Sequence, residues 1–256
     1  MIENVGQTSN NKLFGLLGKN ISYSFSSGYF SEKFKELKLE NYQYVNFDID
    51  TIDLFHGVLS NYSNDISGLN VTIPYKQEIL RFVDELDEEA AAIGAVNTIK
   101  IGKEGKTKGF NTDAYGFENS LRPLLSKQHT KALILGTGGA SKAVAYVLQK
   151  LHIDFLFVSR VPKGPNQISY EQVSESLMSK YTVVINCTPL GTFPQVHLCP
   201  DIPYQFLSSA HLLYDLIYNP SVTSFLQNGK DTGATIKNGL EMLQLQAEQS
   251  WRIWNQ

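Results

Sequence analysis

Ala132-Leu133-Ile134-Leu135-Gly136-Thr137-Gly138-Gly139-Ala140-Ser141 is a short apolar run that passes straight into a glycine-rich turn. The run has the length and composition of a buried parallel strand. Beyond the turn, Val144 and Leu148 carry the apolar spacing of a helix. Strand, turn and helix in this order form the arrangement that binds a pyrophosphate. Glycines let the backbone approach the phosphates, and the helix N-terminus offers N–H groups and a partial positive charge. Ser141 stands where the usual G-x-G-x-x-G has its third glycine, and it is small enough for close packing. Taken alone the turn is also an ordinary βα connection; its flanking strand and helix favour a dinucleotide.

The next strand specifies the dinucleotide. Phe155-Leu156-Phe157-Val158 ends in Ser159-Arg160, where an NAD enzyme places an acid that accepts from the ribose 2′-hydroxyl. Arg160 offers charge-assisted bonds to a 2′-phosphate instead, with Lys163 close by. A strand-end arginine is otherwise a solvated one, so it is the upstream turn that makes NADP the expectation.

Working outward, further strand-type runs lie at Leu13 to Leu17, Tyr44 to Ile49, Leu69 to Ile73, Val183 to Ile185 and Leu212 to Ile217. Amphipathic stretches at Glu32 to Glu40, Lys142 to Lys150 and Tyr170 to Ser179 separate several of them, which predicts α/β architecture with parallel sheets. Ile99 to Gly109 reads as a hairpin turning at Lys103-Glu104-Gly105-Lys106, and Gly116 to Leu125 reads as a helix. Leu240, Leu243, Ala247, Trp251 and Trp254 space a last helix over Gly239 to Trp254. A boundary is expected near 111–118, giving a first domain at 1–113 completed by the helix at 239–256, and a second at 114–238.

The chain has 256 residues, enough for two ordinary α/β domains. A net charge of −3 attracts neither nucleic acid nor an anionic membrane. Met1 to Gln7 shows no signal-peptide pattern, and two cysteines fit a reduced, cytoplasmic setting. Cys187, His197 and Cys199 lack the paired spacing of a metal site, so no metal is expected.

The first half holds further motifs. Gly15 to Ser26 is a strand ending in a serine-rich loop, where Ser24 and Ser26 present two hydroxyls to one carboxylate. Asn70-Val71-Thr72-Ile73-Pro74-Tyr75-Lys76, Gly94-Ala95-Val96-Asn97-Thr98 and Asn111-Thr112-Asp113 follow. Each has a plain alternative: serines and Asn20 make turns, Lys76 is a surface lysine, Asn97 lies in a loop, and Asp113 caps the next helix.

In this order, the segments resemble the shikimate dehydrogenase family from Gly18 to Gln246. Asn186-Cys187-Thr188-Pro189-Leu190-Gly191 and Gly239-Leu240-x-Met242-Leu243 with Gln246-Ala247 add to the match. The resemblance implies two α/β domains around a cleft, an N-terminal substrate domain with a mainly parallel sheet and a C-terminal Rossmann-like NADP domain. It implies reversible NADPH-dependent reduction of 3-dehydroshikimate to shikimate in aromatic amino acid (chorismate) biosynthesis, by a monomer or homodimer acting on a small molecule. On that match Ser24 and Ser26 would hold the carboxylate. Thr72, Lys76, Asn97, Asp113 and Gln246 would bond the hydroxyls, and Tyr218 would complete the pocket. Gly136, Thr137, Gly138, Gly139, Ala140, Ser159, Arg160 and Thr188 would hold the cofactor, with Leu216 and Gly239 at its nicotinamide. Lys76 and Asp113 are the expected catalytic pair; Lys76 is the natural acid–base candidate if desolvation offsets the pull of Asp113 toward charged lysine, and the sequence leaves open which of the two moves the proton. Three departures stand out: Asn20 replaces the family's usual proline, Tyr23 its histidine, and Val161 the threonine after Arg160. The rival readings are a quinate/shikimate dehydrogenase that also uses NAD, and a non-catalytic NADP sensor, which would need neither Lys76 nor Asp113.

Overall fold

The computed structural model describes residues 11–21, 24–63 and 65–256. The N-terminal reading at Met1 to Gln7 and the Tyr23 departure lie outside the described residues. Contacts divide the chain into two compact units: 11–111 with Ser250–Gln256, and Thr112–Gln249. Each is an α/β unit built on a six-stranded sheet.

The first unit runs β1 (Lys12–Gly18), α1 (Phe25–Glu36), β2 (Tyr42–Asp48), α2 (Phe55–Asn61), β3 (Ile66–Val71), β4 (Glu85–Leu86), α3 (Glu88–Ile93), β5 (Thr98–Ile101) and β6 (Thr107–Phe110). Its sheet has the order β2-β1-β3-β5-β6-β4. β1 pairs in parallel with β2 and β3, while β5 is antiparallel to β3 and β6. The hairpin of β5 and β6 closes at Ile101 opposite Thr107, around the predicted turn. Because β5 runs backwards, it begins at the sheet edge where β1, β2, β3 and β6 end. That edge therefore collects Gly18, Asp48, Val71, the start of β5 at Thr98, and Phe110.

The second unit runs α4 (Thr112–Leu121), β7 (Lys131–Leu135), α5 (Gly139–Lys150), β8 (Asp154–Val158), β9 (Gln167–Ile168), α6 (Glu175–Met178), β10 (Val183–Asn186), β11 (Leu212–Asp215), α7 (Ser224–Asp231), β12 (Thr235–Lys237) and α8 (Leu240–Asn255), whose last turn belongs to the first unit. The sheet order is β12-β11-β10-β7-β8-β9, parallel throughout. Its central strands are the apolar runs seen in the sequence. Leu133, Leu135, Val184 and Leu213 are fully buried in one core with Phe225. Burial on both faces suits continuous apolar strands rather than alternating ones.

Four expectations are corrected. Tyr170 to Ser179 is not one helix: a 3-10 turn at Tyr170–Gln172 closed by a Ser169–Gln172 capping box stops at extended Val173, and Ser174 starts the single-turn α6. Local side-chain bonds to backbone compete here with a continuous helix. The strand expected to Ile73 ends at Val71, and Ile73 is 75% exposed before a cis proline. The strand expected to Ile217 ends at Asp215, whose carboxylate takes the next free backbone N–H, that of Ile217. The helix expected from Gly116 begins at Thr112, so Asp113 sits inside its first turn rather than at its cap.

Candidate active site

Both sheets reverse strand order beside their first strand, β1 in one and β7 in the other. Ligands of open α/β sheets bind outside the carboxyl ends of the strands at such points. In the first unit the chain leaves β1 at Gly18 beside the segment that leaves β3. Thr72 N–H donates to Leu17 O at 2.9 Å, and Lys19 N–H to Ile73 O at 3.3 Å. A Cβ on Gly18 would stand 2.6 Å from the Thr72 methyl, so this approach requires glycine. Asp48, at the end of β2, then accepts from the backbone N–H of Asn20 at 2.8 Å and of Ile21 at 3.3 Å. Asn20 has φ +57°. Proline is locked near −65° and has no N–H, so the loop takes a path that the family's usual proline could not.

The serines follow. Ser24 is the N-cap of α1 and accepts from Ser27 N–H. Ser26 hydrogen-bonds the phenol of Tyr44, whose burial pushes its titration up. Tyr44 Oη donates to Asn70 Oδ1 at 2.9 Å, and Asn70 Nδ2 donates to Asn97 O, Thr98 Oγ1 and Ser250 Oγ at 2.9–3.3 Å. Thr98 Oγ1 in turn reaches Asn97 Oδ1 at 3.3 Å. One neutral network thus joins the serine loop to Asn97, which is 3% exposed. The carbonyl of half-buried Lys76 accepts from Val96 N–H at 2.7 Å, which ties the lysine's loop to the Gly94–Thr98 segment. Asn111 Nδ2 donates to Ala95 O at 2.9 Å, just past the end of β6. Serine loop, Lys76 loop, Asn97 and Asn111 therefore meet at one edge. Asp113, two residues further, is buried at 3% exposure.

In the second unit Gly136 ends β7 with φ +99°, and a Cβ there would stand 3.1 Å from the Thr188 methyl beyond β10. Thr188 is fixed by Asn186, whose Oδ1 accepts from both its N–H and its hydroxyl. Gly138 is the N-cap of α5, with no side-chain cap and no acid in the helix's first turn. A Cβ on Gly138 would meet nothing within 4 Å. Open space over a 12-residue helix start with this charge pattern fits a pyrophosphate. Thr137 is exposed, Gly139 and Ala140 are half-buried, and Ser141 anchors the turn through Oγ to Gly138 O at 2.7 Å. Ser159 N–H donates to Ile168 O at 2.9 Å, leaving Arg160 exposed at the end of β8. Leu216 N–H donates to Asn186 O, and Gly239 N–H to Ile217 O at 3.0 Å. Gly239 lies so close under the Leu216 carbonyl that no Cβ fits. Tyr218 follows, half-buried. Gln246 lies on α8 where that helix crosses Gly116 of α4.

Asp215 is fully buried beneath Leu216. It accepts from Thr223 Oγ1 at 2.6 Å, Ile217 N–H at 3.0 Å and Asn186 Nδ2 at 3.0 Å. Burial lifts its carboxyl to about 6 against those bonds. Sequence reasoning passed over Asp48, Tyr44, Asp215 and Thr223. A carboxylate at a strand end, as in Tyr214-Asp215-Leu216, was the signal available for two of them.

Residues 16–99 match the family described as shikimate dehydrogenase substrate binding domain. A shikimate dehydrogenase (NADP(+)) of Methanococcus vannielii is 36% identical, covering 94% of this chain and 90% of its own. The chain belongs to the shikimate dehydrogenase family. Among solved members of that family, a chorismate mutase/shikimate 5-dehydrogenase fusion protein from Clostridium acetobutylicum is 34% identical with a TM-score of 0.85, over 96% of this chain and 92% of that one. Shikimate 5-dehydrogenase from Thermus thermophilus, in complex with NADP(H) and shikimate, is 30% identical with a TM-score of 0.82, over 95% and 93%. Shikimate dehydrogenase architecture thus spans nearly the whole chain. No group of three or more His, Cys, Asp or Glu able to hold a metal occurs among the described residues, and no described helix is long and apolar enough to cross a membrane.

Proposed function

We propose that this chain reduces 3-dehydroshikimate to shikimate reversibly with NADPH, with most of the substrate residues in the first unit and the cofactor residues in the second. The observation that carries the reading is the single sheet edge at which the Ser24–Ser26 loop, the Lys76 loop and Asn97 meet. Nothing in a passive NADP-binding module calls for that convergence.

Bound NADPH supplies the hydride, and the protein supplies orientation and a proton. Ser24 and Ser26 bind the carboxylate, and Thr72 and Asn97 bond the ring hydroxyls; the family match adds Gln246 as a further hydroxyl ligand and Tyr218 as a pocket residue. Lys76 gives a proton to the ketone oxygen during reduction and takes it back during oxidation. Asp113 accepts from the adjacent hydroxyl. Gly136 to Ala140 cradle the pyrophosphate with Thr188 beside it, Ser159 and Arg160 take the ribose 2′-phosphate, and Leu216 with Gly239 supports the nicotinamide. A cytoplasmic monomer or homodimer is the corresponding assembly.

The test is absorbance at the NADPH band with shikimate or quinate against NADP or NAD. Turnover of shikimate with NADP is expected to exceed the other three combinations. Preference for quinate or NAD would move the chain to a quinate/shikimate dehydrogenase, and no turnover with tight NADP binding would mark a sensor.

A further inference from the structure

Asp215 plays no part in the mechanism above, yet it is fully buried, adjoins Leu216 in the chain and bonds the backbone N–H of Ile217, whose carbonyl holds Gly239. Its three recorded donors are all neutral: the Thr223 hydroxyl, which also N-caps α7, the Asn186 amide at the end of β10, and the backbone N–H of Ile217. The other titratable groups within electrostatic reach of it are the Cys187 thiol after β10 and the Tyr204 phenol from the 3-10 turn at Tyr204–Phe206. None of these carries a positive charge. The bonds also fix backbone. Ile217 N–H is held on the carboxylate while Ile217 O holds Gly239 N–H, and Leu216 N–H is held on Asn186 O.

We propose that Asp215 is a positioning residue of the cofactor site that holds the Leu216–Tyr218 backbone in place and, as a buried negative charge with no cationic partner among the described residues, favours the oxidised, positively charged nicotinamide over the reduced, neutral one. The proposal rests on the reading of Leu216 and Gly239 as nicotinamide contacts. A buried charge acts through a lower effective dielectric than water, so a cation held at Leu216 meets an attraction less screened than it would be in water. Binding the oxidised ring would in turn favour loss of the Asp215 proton, by linkage.

The experiment measures dissociation constants for NADP+ and NADPH directly, by tryptophan fluorescence or calorimetry, on the full chain. Asp215→Asn is nearly isosteric and can still accept from Ile217 N–H. It is expected to weaken NADP+ on the order of 5- to 30-fold, the scale of one charge–charge interaction at intermediate dielectric, and to change NADPH by less than about 3-fold. Loss of both forms equally would reduce Asp215 to backbone support and overturn the charge role. In wild type the ratio of NADP+ to NADPH affinity is expected to rise as pH passes upward through about 6, where the carboxyl ionises. The 2′-phosphate titrates in both cofactor forms and cancels in that ratio, so a ratio flat from pH 5 to 8 overturns the proposal even if Asp215→Asn does not fold. Leu216→Lys separates the two readings. If it leaves both affinities intact, the nicotinamide assignment fails; if it disturbs them while Asp215→Asn does not, only the Asp215 role fails.

Discussion

The two sheets make the same turn in different materials. At each reversal of strand order a glycine leaves the first strand against a threonine methyl: Gly18 against Thr72, Gly136 against Thr188. Beyond that point they diverge. The first edge is furnished with side chains: Ser24, which caps α1, and Ser26, Tyr44, Asn70 and Asn97, joined in one neutral hydrogen-bond network. The second presents glycine backbone at Gly136, Gly138 and Gly139, with open space over Gly138 and one exposed side chain, Thr137, among them. A small polyhydroxy acid needs donors and acceptors at particular points, which side chains supply. A pyrophosphate needs N–H groups at close range, which side chains would obstruct. Removing a side chain should therefore hurt at the first edge, and adding one should hurt at the second.

The largest expected effect is at the first edge. Lys76→Met is expected to lower kcat by about 10²–10⁴, the usual worth of a positioned acid–base group, with shikimate affinity within an order of magnitude. Steady-state kinetics with binding measured separately would decide it; a near-normal kcat removes Lys76 from proton transfer.

Ser24→Ala with Ser26→Ala is expected to raise the KM for shikimate on the order of 10²-fold, since each bond to a carboxylate contributes roughly 1.5–3 kcal/mol before water regains its share. The structure adds a second consequence. Ser24 caps α1, so the double variant should also lose about 1 kcal/mol of stability. A denaturant titration beside the kinetics keeps the two apart. Stability lost with KM unchanged would show that the loop is only a helix cap.

Gly138→Val tests the opposite edge. Its φ of −76° is open to any residue, and its Cβ would meet nothing within 4 Å, so the melting temperature should hold. The KM for NADP should nonetheless rise at least about 30-fold, because the bonds forfeited are to a charged group at roughly 1.5–3 kcal/mol each. Normal NADP kinetics in this variant would mean the pyrophosphate lies elsewhere.

Arg160 is the proposed exception on the second edge, a side chain that would read the cofactor's 2′-phosphate. Its guanidinium is exposed. Arg160→Ala is expected to cost roughly 10- to 100-fold in kcat/KM with NADP, to change NAD little, and to matter less at high salt. Equal losses with both cofactors would mean that it supports the adenine end without reading the phosphate.

What the sequence disclosed follows the same division. The glycine turn and the motifs at Ser24, Lys76, Asn97 and Asn111 were legible because each is compact in sequence and its chemistry lies in the residue types. Supports that act across long separations were not. Asp48 holds residues 28 and 27 positions earlier, Tyr44 bonds Asn70 26 positions later, and Asn186 meets Asp215 across 29. No local pattern announces such a bond; only the parallel register brings the partners together. Tyr170 to Ser179 failed for the reverse reason. Its apolar spacing was helical, but the Ser169–Gln172 capping box closed the first turn locally and the chain extends at Val173 before α6 begins.

The smallest expected effect sharpens the comparison most. Thr137 sits inside the glycine turn, between Gly136 and Gly138, and its side chain is exposed. A motif-based reading would rank it beside Ser24 as a polar ligand. If this edge works through backbone, Thr137→Ala removes nothing the pyrophosphate uses, because the N–H groups stay and alanine tolerates the same backbone conformation. Exposed substitutions of this kind usually stay within about 0.5 kcal/mol, which is close to a twofold change. NADP affinity in Thr137→Ala should therefore match wild type to within about 3-fold, measured by direct binding so that turnover does not mask it. Thr188→Ala is the control, since Thr188 Oγ1 is held by Asn186 and in turn accepts from Leu190 N–H at 3.3 Å. That variant should weaken NADP more than Thr137→Ala does, by loosening the loop that faces Gly136. A loss above tenfold in Thr137→Ala would show that a hydroxyl takes part in holding the phosphates, and the contrast between a side-chain edge and a backbone edge would no longer describe this enzyme.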